Sequence, residues 1–242
     1  MQQIACSAQL GYRGIEARYP LIPDASEWDA LKEALTRHNI ELVFAPAAGA
    51  PSTPEARNDL IRVLDFLQHC GGQFLKLIPL AESEHDAMRL AAELGAERAI
   101  RVLTQLHANT LTDTVERTEQ FFNALGHANL GLIFDAAHIS FSEETSIEKA
   151  VARLRPWIEL VNLQSYKPAR GDDGLQHFAI NGREWSIALP DDAAGTDLAK
   201  AIGVVRRSGY DDWLTVMPAI DGSTQPFEVA HAYIEFVSPL AA

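Results

Sequence analysis

An aspartate and a histidine stand three residues apart, directly after a short apolar run near the middle of the 242-residue chain. The run covers residues 130–134, which is too short for a helix and suits a strand buried on both faces of a parallel sheet. Asp135 ends the run and His138 follows it. Parallel α/β proteins keep catalytic groups just beyond the carboxyl ends of their strands, so this pair is a candidate for chemistry. The structural alternative is that Asp135 caps the next segment and His138 lies in a surface loop.

Polar side chains also stand near the carboxyl ends of the other predicted strands. Because these ends meet at one edge of a parallel sheet, the side chains are expected to converge on a cavity suited to a small polyhydroxylated molecule. The polar candidates are Glu16, Arg18, Lys76, Gln105, His107, Gln164 and Lys167, and Met217 stands at the end of the last strand. Two structural alternatives stay open: Glu16 and Arg18 pair with each other, and Lys76 extends from a strand face toward water.

Seven predicted strands alternate with helices along the chain. The strands cover residues 15–18, 40–44, 74–78, 102–107, 130–134, 158–163 and 213–217. The helices cover residues 2–10, a segment with Trp28, Leu31 and Leu35 on one stripe, 54–70, 83–100, 113–125, 146–154, 196–208 and 227–237. Asp24 and Ser26 are candidate N-caps, and Asp113 with Glu116 resembles a capping box. A polar stretch, residues 169–182, is expected to be an irregular excursion.

Strict alternation of strands and helices predicts a parallel sheet with helices on its outside. Seven such units are one short of a closed eight-stranded barrel, and the chain opens with a helix instead of a strand. We therefore expect the α/β fold class, with a TIM (β/α)8-type barrel that lacks its first strand. Residues 1–242 are expected to form a single, N-terminally truncated domain.

The composition restricts the classes of protein to consider. A formal net charge of -13 lacks the basic footprint of a nucleic-acid-binding protein. The sequence contains no long unbroken apolar window, no signal-peptide pattern and only two cysteines, so we expect a cytoplasmic protein without a membrane partner. Ser165 has no nucleophile-elbow pattern, and there is no glycine-rich phosphate loop. The sequence allows a homo-oligomer.

Four segments, in the correct order, resemble those of one family. They are residues 11–16 (Gly-Tyr-Arg-Gly-Ile-Glu), residues 107–114, residues 129–138 with Asp135 and His138, and residues 209–216 (Gly-Tyr-Asp-Asp-Trp-Leu-Thr-Val). The chain is similar to the xylose-isomerase-like TIM-barrel proteins, the sugar phosphate isomerase/epimerase group that also includes the AP-endonuclease-2-like barrels. The resemblance covers nearly the whole chain and implies the barrel fold.

The resemblance also implies a divalent metal, commonly manganese, magnesium, cobalt or zinc, held by two glutamates, an aspartate and a histidine. The two glutamates move a proton between adjacent carbons of a sugar. The aspartate falls on Asp135, and a neighbouring substrate-contacting histidine falls on His138. The remaining ligand positions carry other residue types: Gln105 for the first glutamate, Gln164 for the histidine and Met217 for the last glutamate.

These departures weaken the implied metal site. Glutamine offers a carbonyl oxygen but no charge and cannot abstract a proton, and a thioether is a poor ligand for hard cations. We expect a weakened divalent-metal site formed by Asp135, Gln164 and Gln105. The catalytic base would then be His107 or His138, because imidazole titrates near neutrality.

These expectations favour a sugar isomerase or epimerase that acts on a small keto-sugar, polyol or related carbohydrate acid. The predicted substrate-binding residues are Glu16, Arg18, Lys76 and Lys167, with Lys167 or Arg18 meeting an anionic group. The alternative is a non-catalytic relative that binds such a ligand or supports a partner enzyme. An endonuclease-like role is disfavoured by the acidic charge and by the shortage of metal ligands.

Overall fold

The computed structural model describes residues 2–18, 22–142, 145–171, 177–217 and 225–241. Nine α-helices are described: α1 (Gln2–Gln9), α2 (Trp28–His38), α3 (Pro54–Cys70), α4 (His85–Ala96), α5 (Val115–Leu125), α6 (Ala136–Ser142), α7 (Ile147–Leu154), α8 (Leu198–Arg207) and α9 (Pro226–Ala241). Ten strands are described: β1 (Gly14–Glu16), β2 (Glu41–Pro46), β3 (Phe74–Lys76), β4 (Arg101–Gln105), β5 (Leu130–Asp135), β6 (Ile158–Leu163), β7 (Tyr166–Pro168), β8 (His177–Ile180), β9 (Arg183–Ile187) and β10 (Leu214–Val216).

Seven of the strands form one sheet in the order β1-β2-β3-β4-β5-β6-β10. The strand pairs whose register is defined, such as β2 with β3 and β5 with β6, are parallel. Helices separate successive strands of this sheet along the chain, and α1 precedes β1. The predicted parallel α/β sheet of seven strands with flanking helices is therefore confirmed.

The chain divides into two compact units. The first comprises residues 1–105 and 121–131, and the second comprises residues 106–120 and 132–242. The expectation of a single domain stays a prediction. Within the described residues, no helix is both long enough and apolar enough to cross a membrane.

In the first unit, α3 begins and ends at the residues predicted from the sequence, 54 and 70. Pro54 occupies the first turn, and the Thr53 hydroxyl caps it by accepting a hydrogen bond from the Ala56 N–H at 3.2 Å. Gly71 ends the helix in the left-handed region at φ 75°, which a residue without a Cβ adopts at little cost. The helix buries one apolar face: Leu60, Val63, Leu64, Phe66 and Leu67.

The helix that follows β3 is shorter than predicted. Residues 83–100 were expected to be helical, but α4 ends at Ala96 and the chain turns through Ala99 at φ 56°. The Ile100 N–H then donates to the Gly95 carbonyl at 2.9 Å, so the chain folds back over Gly95. A Cβ at Gly95 would lie 2.6 Å from the Ile100 oxygen, which means that this turn needs a glycine.

Two predicted helix starts are wrong in detail. Asp24 precedes a 3-10 turn and makes no side-chain cap, so α2 begins at Trp28 without one. Asp113 does not cap α5; its carboxylate accepts from the Arg117 guanidinium at 2.8 Å, while the Thr114 hydroxyl accepts the Arg117 backbone N–H. Asp113 therefore does not cap the helix, because its carboxylate binds Arg117 and the Thr114 hydroxyl accepts the backbone N–H instead.

The second unit contains an antiparallel sheet that the sequence analysis missed. Strands β7, β9 and β8 pair in that order, and β8 lies inside the stretch that was expected to be irregular. Phe178 and Trp185 lie opposite each other on one face of this sheet, and both pack against Phe141 of α6. Residues 172–176 of the predicted excursion lie outside the described residues.

The close approach at Gly95 predicts a large effect of one methyl group. Gly95→Ala should lower the free energy of unfolding by about 2 kcal/mol, because the clash is with backbone that cannot move away. Gly203→Ala on α8 is the matched control. Its Cβ would meet only the mobile end of Arg207, at 3.1 Å, so the helix should gain about 0.5 kcal/mol. Urea unfolding of both variants measures the difference, and equal effects would contradict the account.

Candidate functional site

Asp135 ends β5 and is fully buried, with 0% of its surface exposed. Its Oδ2 accepts two amide N–H donors, Asn162 Nδ2 at 3.0 Å and Gln164 Nε2 at 2.6 Å. Its Oδ1 accepts the backbone N–H of Ala137 at 3.0 Å. The structural alternative for Asp135 therefore holds in part, because one oxygen caps the first turn of α6. Three N–H donors stabilise the charge of this carboxylate away from water.

The strands of the second unit place these groups in one row. Asp135 of β5 lies opposite Asn162 of β6, which lies opposite Thr215 of β10. Gln164 stands two residues after Asn162, so both amides project from the same face of the chain. The amides reach Asp135 because of this strand alternation. Asn162 and Thr215 were not among the residues predicted from the sequence.

Hydroxyl groups lie at the oxygen ends of both amides. The Tyr166 O–H donates to Gln164 Oε1. The Thr215 hydroxyl lies 3.3 Å from Asn162 Oδ1 and 3.2 Å from the Val161 carbonyl oxygen. Burial raises the pKa of Tyr166, and the negative charge of Asp135 raises it further, so the phenol stays protonated and remains a donor.

The two predicted catalytic histidines lie side by side, with ring centroids 4.3 Å apart. His138 lies on α6 with 4% exposure, and its Nδ1 accepts the Ala108 N–H at 3.0 Å. That nitrogen has no proton, so the ring is neutral and carries its proton on Nε2. Nε2 lies 3.9 Å from Asp135 Oδ2.

His107 has the opposite tautomer. Its Nδ1 lies 2.8 Å from the carbonyl oxygen of Ala108, which only accepts, so Nδ1 carries the proton. Nε2 is therefore the nitrogen of His107 that gains or loses a proton. The backbone N–H and carbonyl of Ala108 fix the two rings, and a tight turn holds this backbone. Thr110 Oγ1 donates to the His107 carbonyl at 2.7 Å, and the His107 N–H donates to Thr112 O at 3.1 Å.

Aromatic side chains surround this cluster within the second unit. The Phe141 ring lies 5.1 Å from His138, 4.7 Å from Trp185 and 5.5 Å from Tyr166, measured between centroids. Phe178 packs edge-on against Tyr166 at 5.1 Å. The antiparallel sheet thus supplies an apolar wall beside the polar row.

Lys167, a predicted substrate-binding residue, lies in an ion pair. Its Nζ donates to Asp192 Oδ2 at 2.9 Å, and the Ala194 N–H donates to the other oxygen at 2.9 Å. The hydrogen bond from Lys167 and then that from Ala194 lower the pKa of Asp192. Lys167 and Tyr166 are consecutive on β7 and therefore face opposite sides of the strand.

Of the other candidates, Met217 follows β10 in the second unit, where its N–H donates to the Leu163 carbonyl at 3.2 Å, and the rest belong to the first unit. Glu16 ends β1 and is partly buried, and burial raises its pKa, while the charges of Lys76 and then Arg18 lower it. The Lys76 ammonium lies 5.9 Å from the ring centroid of Phe44, and Arg18 is exposed. Gln105 ends β4 and is fully buried.

The residues around Asp135 do not fit a divalent cation in this arrangement. Among the described residues, no group of three or more histidine, cysteine, aspartate or glutamate side chains could hold a metal ion. Asp135 Oδ2 already accepts two amide N–H groups, and His138 faces it with a protonated nitrogen. Gln164, a predicted ligand through its oxygen, presents its nitrogen instead. The donor set therefore suits an ionised carboxylate without a cation.

The sequence model of the xylose isomerase-like TIM barrels matches residues 4–235. The chain belongs to this family. The fold and the family predicted from the sequence are therefore both confirmed.

Curated relatives of this chain include two kinds of dehydratase. The 3-dehydroshikimate dehydratase of Bacillus anthracis is 33% identical over 94 residues, which cover 39% of this chain and 32% of that protein. The chain thus matches about a third of the length of that relative. An inosose dehydratase of Bacillus thuringiensis (strain Al Hakam) is 21% identical over 271 aligned positions. The match covers 98% of this chain and 88% of the relative.

Solved structures share the fold of the whole chain at low identity. The probable 3-DHS dehydratase AsbF of Bacillus anthracis has a TM-score of 0.76 at 16% identity, covering 98% of this chain and 92% of the other. The D-allulose 3-epimerase of Methylomonas sp. in complex with D-allulose has a TM-score of 0.72 at 16% identity, covering 98% and 89%. A barrel protein of Mycobacterium smegmatis in complex with magnesium has a TM-score of 0.74 at 12% identity, covering 99% and 87%.

Removing the buried carboxylate should be costly to stability. Asp135→Ala leaves the amide donors of Asn162 and Gln164 buried without their acceptor, so the free energy of unfolding should fall by about 3 kcal/mol. The control is Asp211→Ala in the same unit. The Asp211 side chain is 97% exposed in its pair with Arg206, so that change should cost less than about 0.5 kcal/mol. Chemical denaturation tests both, and a mild effect at Asp135 would contradict the network.

The raised pKa of Glu16 predicts a pH-dependent gain in stability from Glu16→Gln. The folded state binds this proton more tightly than the unfolded chain does. Stability is therefore lost as the pH rises from the ordinary carboxyl value of 4.5 through the raised pKa of the folded state. The glutamine variant should be more stable than the parent protein at neutral pH, with the difference disappearing below that range. Unfolding curves across pH measure this, and a constant offset would contradict it.

Proposed function

We propose that the chain catalyses proton transfer next to the carbonyl group of a small keto-sugar, polyol-derived ketone or related carbohydrate acid, as an isomerase or epimerase. The observation that carries the proposal is the pair of His107 and His138 with opposite tautomers, both fixed by the backbone of Ala108. His107 carries its proton on Nδ1 and exchanges protons at Nε2, and His138 carries its proton on Nε2. A base and a hydrogen-bond donor side by side are what abstraction of a proton beside a carbonyl requires.

In the proposed step, His107 Nε2 takes the proton from the carbon next to the carbonyl. The electron pair of that C–H bond forms a carbon–carbon double bond, and the carbonyl π pair moves to the oxygen. The His138 Nε2–H stabilises this oxygen, and the charge of Asp135 at 3.9 Å favours the proton on that nitrogen. Protonation of the opposite face of the same carbon by water gives the epimer, and the His107 proton then passes to solvent. Return of the His107 proton to the former carbonyl carbon, with the proton of the neighbouring hydroxyl moving to the enolate oxygen, gives the isomer. Neither outcome needs a co-reactant.

The names of the similar proteins support the same first step. An epimerase and the two dehydratases act, by name, on D-allulose, inosose and 3-dehydroshikimate, each of which carries a carbonyl group and several hydroxyl groups. Loss of water from a hydroxylated ketone also begins with removal of a proton beside the carbonyl. The substrate class proposed for this chain therefore matches that of its relatives, and the fate of the enolate separates the reactions.

A second candidate is a non-catalytic relative that binds such a ligand or supports a partner enzyme. The observation that favours it is the set of Gln105, Gln164 and Met217, which lacks the carboxylates that the resemblance assigns to proton transfer. Binding without turnover would identify this function.

Solvent exchange separates the two candidates. In deuterated water, the parent protein should introduce deuterium beside the carbonyl of D-allulose, inosose or 3-dehydroshikimate, as read by NMR. His107→Asn should lower kcat by about 100-fold or more and leave KM little changed, because the base is lost while the hydrogen-bonding site stays. His231→Asn, on the exposed surface of α9, is the control and should keep full activity.

Two results would count against the proposal. Binding of these compounds without any deuterium exchange would support the non-catalytic role. Full exchange by the His107 variant would show that another group is the base.

A further inference from the structure

The orientation of the Gln164 amide decides what the Asp135 site can bind. An amide has a donor end and an acceptor end. With the nitrogen toward Asp135, as in this structure, it donates a hydrogen bond to the carboxylate. With the oxygen toward Asp135, the two oxygens would form a pocket of negative potential, which is the environment that divalent cations select.

Tyr166 holds the Gln164 amide with its nitrogen toward Asp135. Its O–H donates to Gln164 Oε1, which fixes the oxygen on the side away from Asp135. The phenol is itself held: its ring packs against Phe141 and Phe178, and its backbone N–H donates to Thr196 Oγ1 at 3.3 Å. Because β7 is also paired with β9, the hydroxyl is presented by a rigid element.

The Asn162 amide also has its nitrogen toward Asp135, but its orientation is held less firmly. The Thr215 hydroxyl lies near Asn162 Oδ1 at 3.3 Å, but it lies closer to the Val161 carbonyl at 3.2 Å. A single O–H donates fully to one of these oxygens. Tyr166, with its one acceptor, is therefore the stronger determinant of the donor arrangement around Asp135.

We propose that Tyr166 is a positioning residue that keeps divalent cations out of the Asp135 site by holding Gln164 with its amide nitrogen toward the carboxylate. This inference is independent of the proposed proton transfer. It concerns which ions the site accepts, and it holds for an enzyme and for a binding protein alike. In Tyr166→Phe, the amide is free to rotate and to present Oε1 beside Asp135.

The experiment is titration with Mn²⁺, followed by electron paramagnetic resonance of the free ion, together with metal content after dialysis. Each protein is compared with the same protein carrying Asp135→Ala as well. The difference in bound Mn²⁺ between the two measures binding at Asp135, because ions on the acidic surface bind equally to both. The parent protein should show no stoichiometric Mn²⁺ of this kind. Tyr166→Phe should bind Mn²⁺ at the Asp135 site about five- to tenfold more tightly, the factor expected for loss of one buried hydrogen bond.

Two variants complete the design. Tyr210→Phe removes the hydroxyl that donates to the Trp213 carbonyl in the same unit, and it should leave Mn²⁺ binding unchanged. Gln164→His, which replaces the amide with an imidazole ligand, is the positive control and should also bind more Mn²⁺. Circular dichroism confirms folding of each variant.

Stoichiometric Asp135-dependent Mn²⁺ in the parent protein would overturn the proposal. Unchanged binding in Tyr166→Phe, when Gln164→His gains binding, would also overturn it, because the amide would then be held by something other than the phenol. Neither outcome depends on turnover, so a failure here is distinguishable from a failure of the proton-transfer proposal.

Discussion

The second unit is built around one constraint, a carboxylate that is taken completely out of water. Asp135 has no exposed surface, and an ionised carboxylate in that position is stable only if its oxygens accept strong hydrogen bonds. The structure supplies them from two neutral amides and one helix N–H. Neutral donors satisfy the oxygens without cancelling the charge, so the site keeps a net negative charge beside His138.

The surrounding elements can be understood from that constraint. Asn162 of β6 and Gln164, one residue beyond its end, are two residues apart and both reach Asp135. The register of β5, β6 and β10 aligns Asp135 with Asn162 and Thr215. The antiparallel sheet adds Tyr166, which orients the second amide. In the family that the chain resembles, a metal and charged ligands are expected in this place. In this chain, amide and hydroxyl groups form a self-consistent network around the same aspartate.

Much of this arrangement could be predicted from the sequence. The short apolar run before Asp135 indicates a buried parallel strand, and the positions of His107 and His138 near strand ends predict that their side chains come together, as their rings do. These predictions depend on periodicity and on the geometry of parallel sheets, which are local and general.

Other features depend on which of several possible partners a side chain meets in the folded chain, and the sequence does not determine that choice. Lys167 of β7 pairs with Asp192, which lies beyond β9 and is 25 residues away in sequence. The polar excursion contains β8 because Phe178 packs on Trp185 and Phe141, and single apolar residues among polar ones give a weak strand signal. The orientation of the Gln164 amide depends on the hydroxyl of Tyr166, two residues further along the chain. The sequence does not show this contact, because it forms only when the chain turns between β6 and β7. Asp113 was assigned as a cap, but Arg117 competes for its carboxylate.

The most direct test of the amide-held carboxylate is anomalous diffraction from crystals of the unmodified protein soaked in excess manganese. The account predicts no anomalous peak at bonding distance from Asp135, with the amide nitrogens of Asn162 and Gln164 still donating to Oδ2. A manganese ion coordinated by Asp135 and by Gln164 Oε1, at about 2.1 Å, would contradict it and return the site to metal chemistry.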